Sequence, residues 1–211
     1  MFSFLDDYIL QKGQKLSFYA FVSFLIFEIV DFDILSFISF VMALFFLYIY
    51  RIPKRYLLQN HQGSLLSVID AKVESCQEET DEKYGQKVVF SSSMLKSGVL
   101  RVPFDCEVVS ISIQRGTKFD EKSVLFDKLN EKLEICFKNQ EDEIKIYHIL
   151  KRTCFDIDVF VKPGQKLYAG DIYGFASNAI TTVYLPKDFN LELVYGVEVY
   201  ASQTTIGYFK K

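Results

Sequence analysis

Few side chains in this sequence have the chemistry of a catalytic or metal site. The chain has two histidines, His61 and His148, and four cysteines. No two cysteines form a C-x-x-C pair, and their spacing matches no metal-binding pattern. Each lies in or at the end of an alternating apolar stretch, which predicts reduced thiols in a domain core. The cysteines are Cys76, Cys106, Cys136 and Cys154. No metal site is therefore expected, and any acid–base chemistry that uses histidine depends on one of two residues.

The charge balance argues against a nucleic-acid partner. The net charge is -3 over 211 residues, and the sequence contains no basic arm and no long run of like charge. A nucleic-acid-binding domain would instead show clustered positive charge. Half of the residues are hydrophobic, and much of that excess lies before residue 51. This shift in composition predicts an anchor over residues 1–55 and a β-rich domain over residues 56–211.

Two apolar runs make up the predicted anchor. Residues 16–30 contain Glu28 as their one charge, residues 34–50 contain none, and an acidic turn separates the two runs. As helices they would be about 22–26 Å long, slightly short of a hydrocarbon core of about 30 Å. Basic residues flank both outer ends, which places both ends in the cytoplasm. We expect a transmembrane helical hairpin that holds the domain on the cytoplasmic side of the inner membrane; a buried hairpin of a soluble protein is the alternative.

Alternating apolar residues predict short strands in the second part. Clear examples are residues 108–113, 133–137 and 182–185, and residues 123–133 could begin with a helical turn. Short strands separated by turns are typical of a β sandwich or barrel. The predicted fold class is therefore mainly β, of a barrel-sandwich or lipoyl-like kind.

Glycine turns repeat loosely near the carboxyl end, around Gly164, Gly170 and Gly196, and glycine suits the positive φ angles of such turns. Similar turns occur in lipoyl and biotinyl domains, which carry a modified lysine on a hairpin. Lys72 is the one candidate for such a lysine, so a carrier domain is a minor alternative.

Several short motifs occur in an order that resembles the phosphatidylserine decarboxylase family, in its short, archaetidylserine-like form. No single motif is specific, but their order and spacing together are. Tyr50–Arg55 resembles the family's F-R-x-P-x-R, Ser67–Val73 resembles S-P-A-D-G-K-V, and Val99–Pro103 resembles the end of V-H-V-N-R-x-P. Asn130–Lys132 resembles N-E-R, Lys151–Arg152 lies where the family has A-R-R, and Gly170–Pro186 resembles the segment that contains the cleavage strand.

The resemblance implies a specific chemistry. Members of the family cut their own chain at a Gly-Ser bond, and the serine becomes a pyruvoyl group. This group forms an imine with the amine of the phospholipid and accepts electrons as the carboxylate leaves as CO₂. An Asp–His–Ser constellation supports the cleavage, in which a base activates the serine and the aspartate orients the base. The product is an ethanolamine phospholipid, and a membrane anchor would keep the enzyme beside its substrate.

The sequence departs from the family at two of these three positions. Asp70 matches the family's aspartate, although a turn-capping carboxylate is an equal interpretation. Gly98 occupies the position of the histidine and cannot transfer a proton. His148 could substitute only if the fold brought it to the cleavage strand; a surface or partly buried strand residue is the simpler interpretation.

The position of the serine depends on the alignment. Without a gap, the Gly-Ser pair falls on Asn178-Ala179, and alanine cannot form a pyruvoyl group. A gapped alignment makes Ser177 the precursor, but we expect such a shift to move side chains between faces of the strand. We prefer the ungapped alignment. An ordinary turn serine is the simpler interpretation of Ser177.

Two functions follow from these departures. The first is an active decarboxylase that carries a self-derived pyruvoyl group. The second, which the residues favour, is a non-catalytic relative that binds phospholipid or associates with an active family member or a second copy of itself. By charge and position in the motifs, Lys96, Arg101, Lys151 and Arg152 are candidate phosphate contacts.

Overall fold

The structure, a computed structural model, describes residues 5–56, 63–79, 83–139 and 142–210. The chain forms two compact units, Met1–Lys54 and Arg55–Lys211. The first contains two helices, and the second is built almost entirely from β-strands, which confirms a mainly β fold. Most of the predicted linker after the anchor (residues 57–62), including His61, lies outside the described residues.

The helices and strands are named in chain order. They are α1 Gln11–Ile29, α2 Asp33–Ile49, β1 Ser64–Leu66, β2 Ala71–Glu78, β3 Tyr84–Ser91, β4 Val99–Arg101, β5 Cys106–Gln114, α3 Phe126–Leu129, β6 Lys132–Asn139, β7 Asp142–Leu150, β8 Asp158–Val159, β9 Lys166–Leu167, β10 Ile172–Phe175, β11 Ala179–Pro186, β12 Phe189–Leu191, β13 Glu198–Val199 and β14 Thr205–Phe209.

In the first unit, α1 and α2 form an antiparallel hairpin with a few polar contacts. Ser17 Oγ donates a hydrogen bond to Ala43 O at 3.0 Å. Near the turn, Ser36 Oγ donates to Glu28 Oε2 at 2.6 Å. Asp31 has φ 59°, a left-handed conformation that aspartate tolerates better than most residues. The two helices lie where the apolar runs predicted them.

The prediction that these helices span a membrane is corrected by their length and composition. Among the described residues, no helix is both long and apolar enough to cross a membrane. Helix α2 has 17 residues, or about 26 Å at 1.5 Å per residue. Helix α1 has 19 residues but begins with the polar sequence QKGQK, which leaves about 21 Å of apolar helix.

The strands of the second unit form three antiparallel sheets. The largest has the strand order β13-β2-β3-β11-β7-β6-β5-β9, and the smaller sheets have the orders β4-β10-β8 and β1-β14-β12. Strands β10 and β11 are consecutive in sequence but belong to different sheets. The turn between them, residues 176–178, therefore lies where the two sheets approach each other.

Side-chain alternation determines which residues of the central strands reach the core. In β11 every second side chain is buried, from Ala179 to Leu185. Strand β7 alternates in the same way, so that Ile144, Ile146, His148 and Leu150 face the core. The side chains of successive strand residues point to opposite faces, and this rule places His148 among apolar neighbours.

Candidate functional site

The turn between β10 and β11 contains a buried serine. Ser177 is 1% exposed, and its Oγ has no hydrogen-bond partner among the described residues. Leaving a buried hydroxyl unpaired costs about 1–3 kcal/mol, and such groups are rare in folded proteins. The hydroxyl of Ser177 is therefore a candidate functional group rather than an ordinary turn serine, which would bond to nearby backbone.

Hydrogen bonds hold the backbone of this turn on two sides. Ala179 N donates to Ser92 Oγ at 2.8 Å, and Ser92 N donates to Ala179 O at 2.9 Å. Lys151 N donates to Asn178 O at 2.8 Å, and Asn178 Nδ2 donates to the Arg152 carbonyl at 2.8 Å. The segments that follow β3 and β7 thus fix the turn, while the hydroxyl of the serine within it lacks a partner.

Gly98 lies against the residue that precedes Ser177. Ala176 N donates to Gly98 O at 2.8 Å. A Cβ atom on Gly98 would lie 2.9 Å from Phe175 Cε2 and 3.1 Å from the carbonyl carbon of Ala176. A larger side chain therefore fits only if the turn moves. Position 98, where the resemblance leads us to expect the family's histidine, is next to the Ala176–Ser177 bond, but glycine supplies no base.

The two alignments of the cleavage motif differ by two residues in this turn. Asn178 has φ 59°, a conformation that favours glycine, and this agrees with a family glycine at position 178. The buried, unpaired hydroxyl agrees instead with Ser177 as the precursor. A shift of two residues keeps strand side chains on the same face, so the change of face that we expected from the gapped alignment does not occur. Each alignment has one structural feature in its favour.

Asp70 lies in the turn between β1 and β2 and is nearly buried. Its Oδ2 accepts a hydrogen bond from Arg55 Nη2, and its Oδ1 accepts one from Ala201 N at 2.8 Å. The side chains of Asp70 and Arg55 are 7% and 14% exposed. Both carboxylate oxygens are therefore engaged, and neither is bonded to Ser177 or His148. In this arrangement the carboxylate does not orient a base beside the serine.

His148 is fully buried, which corrects the expectation of a surface or partly buried residue. In the pairing of β7 with β11 it lies opposite Thr181, and Thr181 is four residues after Ser177 in the sequence. Its Nδ1 lies 2.8 Å from Thr181 Oγ1, and its Nε2 lies 2.8 Å from Tyr173 Oη. Burial lowers the pKa of the imidazole from 6.5 to about 3. The fold thus brings His148 to β11, but both ring nitrogens are occupied there.

Lys151 and Arg152 lie beside the Ser177 turn. The Nζ of Lys151 donates to Ser91 Oγ at 2.7 Å and lies 3.5 Å from Glu121 Oε2. Its side chain is 15% exposed, whereas Arg152 is exposed. Of the two, Arg152 presents its charge to the surroundings.

Arg101 is near Asp70 rather than near the serine. Its Nη1 donates to Gly170 O at 2.9 Å. Burial, followed by the charge of Arg55, lowers the pKa of the Arg101 guanidinium, and the charge of Asp70 raises it. The charges of Arg55 and Asp70 therefore both act on Arg101, the first by repulsion and the second by attraction.

Two further lysines have local roles. The Nζ of Lys96 donates to Ala71 O at 3.2 Å and lies 3.1 Å from Glu198 Oε1. Lys72 lies within β2 and pairs in register with Glu198. A carrier lysine would lie on a hairpin turn, so the structure does not place Lys72 where that alternative requires it.

Three residues of the site were not predicted. Ser92 bonds the turn, Tyr173 bonds His148, and Arg55 bonds Asp70. Arg55 is the last residue of the motif that resembles F-R-x-P-x-R, so the motif itself was a signal. For Ser92 and Tyr173 the sequence offers no comparable signal. Among the described residues, no group of His, Cys, Asp and Glu side chains is arranged to hold a metal ion.

Comparisons with known proteins point to one family. A sequence model of the family described as phosphatidylserine decarboxylase matches residues 42–207. A curated relative, the phosphatidylserine decarboxylase proenzyme of Carboxydothermus hydrogenoformans, is 26% identical over 182 residues, which cover 83% of this chain and 85% of the relative. No solved structure matches the chain. Because the family match extends over most of the chain, the chain belongs to the phosphatidylserine decarboxylase family.

Proposed function

We propose that the chain is a membrane-associated, phospholipid-binding member of its family that remains uncleaved and does not decarboxylate its ligand. The observation that supports this best is the absence of a base beside Ser177. Its hydroxyl has no hydrogen-bond partner among the described residues. Gly98 supplies no side chain, and Asp70 is engaged by Arg55 and Ala201.

Self-cleavage needs an activated serine. A serine hydroxyl is a weak nucleophile unless an adjacent base accepts its proton, and loss of a general base costs on the order of 10²–10⁴-fold in rate. His148 is bonded to Thr181 and Tyr173, and an imidazole with a pKa of about 3 is a poor proton acceptor. The residues present therefore do not fit the formation of a pyruvoyl group.

Intact-mass measurement of the purified, folded protein tests this proposal. We expect one species with the mass of the full chain, and the same result for Ser177→Ala apart from the lost oxygen. Two fragments whose masses correspond to cleavage of the 176–177 peptide bond would overturn the proposal, provided that Ser177→Ala abolishes the cleavage.

An active decarboxylase is the second candidate. The unpaired, buried hydroxyl of Ser177 next to Gly98 is the observation that favours it, because a processing serine would occupy such a position. This candidate requires two fragments on a denaturing gel and release of CO₂ from phosphatidylserine. Both should disappear in Ser177→Ala, so the same preparation distinguishes the two candidates.

Membrane association through α1 and α2 is part of the proposal. Large apolar side chains of the hairpin are exposed, including Ile29 at 81%, Ile34 at 78% and Phe37 at 67%. An exposed apolar patch of this kind indicates a contact surface, and the basic flanks favour the cytoplasmic side. We expect Ile34→Lys with Phe37→Lys to lower the fraction of protein that floats with vesicles. Phe160→Lys, at an apolar residue of the second unit that is 49% exposed, should not change it.

The remaining parts of the proposal concern ligand and partners. Lys151 and Arg152, beside the Ser177 turn, and Arg101, near Asp70, are proposed contacts for headgroup phosphate. A second copy or an active family member is a proposed partner. A barrel-sandwich or lipoyl-like arrangement of the strands is proposed from the short strands and glycine turns. Arg152→Gln should weaken binding to vesicles that contain phosphatidylserine, and an unchanged affinity would remove Arg152 from the site.

A further inference from the structure

The guanidinium of Arg55 has one donor for which the described residues provide no acceptor. Its Nη1 donates to Gln203 Oε1 at 2.8 Å, and its Nη2 donates to Asp70 Oδ2. Its Nε is buried and has no hydrogen-bond partner among the described residues. A buried donor of a charged group is costly to leave unpaired, so Arg55 is suited to a further acceptor.

Arg101 is a second cation near the ion pair of Arg55 with Asp70. Asp70 is one carboxylate, and its two oxygens are engaged by Arg55 and Ala201 N. Arg101 is a second guanidinium within electrostatic range of both Arg55 and Asp70, and burial weakens its hydration. Arg101 N donates to Val68 O at 2.9 Å, in the turn that contains Asp70, and the guanidiniums of Arg55 and Arg101 repel each other there. An anion would relieve the repulsion between them.

A second unpaired group lies in the segment that contacts the ion pair of Arg55 with Asp70. Ser202 is fully buried, and its Oγ has no partner among the described residues. Its neighbours both contact the ion pair, since Ala201 N bonds Asp70 and Gln203 bonds Arg55. Ser202 also has φ 60°, an unfavourable backbone for serine that is found at functional sites more often than elsewhere.

We propose that Arg55, Arg101 and Ser202 form a binding site for a phosphate ester. A guanidinium matches the geometry of phosphate oxygens and keeps its charge, and a serine hydroxyl can donate to a third oxygen. The ligand could be the phosphate of a phospholipid headgroup, in which case the site deepens the proposed function, or a free phosphate compound. Asp70 holds Arg55 in place and does not contact the ligand.

Two variants remove the proposed donors without leaving Asp70 unpaired. Arg55→Lys keeps a cation beside Asp70 but loses Nε and the planar fork. Ser202→Gly removes only the hydroxyl, and glycine accepts the positive φ. Lys138→Gln, at an exposed residue of β6, removes a whole positive charge outside the proposed site, so it shows how much a change in net charge alone affects binding.

The experiment uses the full chain and two probes. In the first arm, inorganic phosphate is titrated against the thermal midpoint at constant ionic strength set with chloride. In the second arm, binding to phosphatidylcholine vesicles with and without phosphatidylserine is measured by flotation. A lost hydrogen bond to a charged group should weaken binding about tenfold or more. We expect that loss in Arg55→Lys and Ser202→Gly, and no loss in Lys138→Gln.

The outcomes separate the ligand sources. A loss in both arms supports a site for the headgroup phosphate, and a loss in the first arm alone supports a site for free phosphate compounds. The proposal is overturned if wild type responds to neither probe, or if both variants respond as wild type does. The intact-mass measurement does not depend on either arm. The proposed phosphate site can therefore be wrong while the chain is found uncleaved, and the chain can be found cleaved while the phosphate site is supported.

Discussion

The ion pair of Arg55 with Asp70 should contribute strongly to stability because it is nearly buried. The two side chains are 14% and 7% exposed. Removal of one partner from a buried pair costs about 3–5 kcal/mol, since an unpaired charge remains. We expect Arg55→Gln and Asp70→Asn each to lower the free energy of unfolding by about 3 kcal/mol, the low end of that range, because some exposure remains. The double variant should lose much less than the sum of the two.

The same chain offers a matched control. Lys83 and Glu143 form an ion pair whose side chains are 56% and 22% exposed, and exposed pairs contribute about 0–1 kcal/mol. Urea unfolding can be followed by tyrosine fluorescence, because the chain has 13 tyrosines and no tryptophan. For a protein of this size, 3 kcal/mol corresponds to about 6–12 °C in the thermal midpoint. A coupling energy for Arg55 and Asp70 no larger than that of the control pair would refute the reasoning.

Three further predictions concern single residues. Gly98→Ala should lower the free energy of unfolding by about 1–3 kcal/mol because the new Cβ has no room, as urea unfolding would show; an unchanged midpoint would contradict the contact with Phe175. Since folding lowers the pKa of His148 to about 3, the unfolded chain binds a proton that the folded chain does not as pH falls from about 6.5 towards 3. Stability should therefore fall over that range by up to about 1.4 kcal/mol per pH unit, and the slope should decrease in His148→Gln. Burial raises the pKa of the Cys106 thiol to about 12. Iodoacetamide at pH 8 should therefore label exposed Cys154 in the folded protein and leave Cys106 unlabelled. Mass spectrometry of the peptides measures this, and a labelled Cys106 would contradict it.

The mainly β fold was predictable because the longer strands alternate in sequence. Residues 108–113, 133–137 and 182–185 lie within β5, β6 and β11, and the predicted helical turn is α3. The short strands β1 and β4 were missed because three residues give too little alternation to recognise. The same alternation places His148 on the buried face with Ile146, so the burial of His148 was also predictable from the sequence.

The site itself was only partly predictable because its contacts join distant parts of the chain. Asp70 was identified by its motif, but its bond to Ala201 N joins residues 131 positions apart. No local pattern predicts such a contact. The unpaired hydroxyl of Ser177 likewise depends on what the turns around it exclude, which is a property of the folded chain.

The absence of an imidazole at position 98 agrees with the bonds that Asp70 makes. A carboxylate that has no imidazole to orient would be left buried and unpaired, and that is costly; Arg55 and Ala201 N now satisfy it. We therefore expect Gly98→His alone to leave the chain uncleaved, because the new imidazole would collide with Phe175 and would find Asp70 engaged. Gly98→His combined with Arg55→Gln should also remain intact, since freeing the carboxylate does not make room for the ring. Intact mass of the two folded variants tests this, and cleavage before Ser177 in the single variant would show that one missing base was all that separated this chain from self-processing.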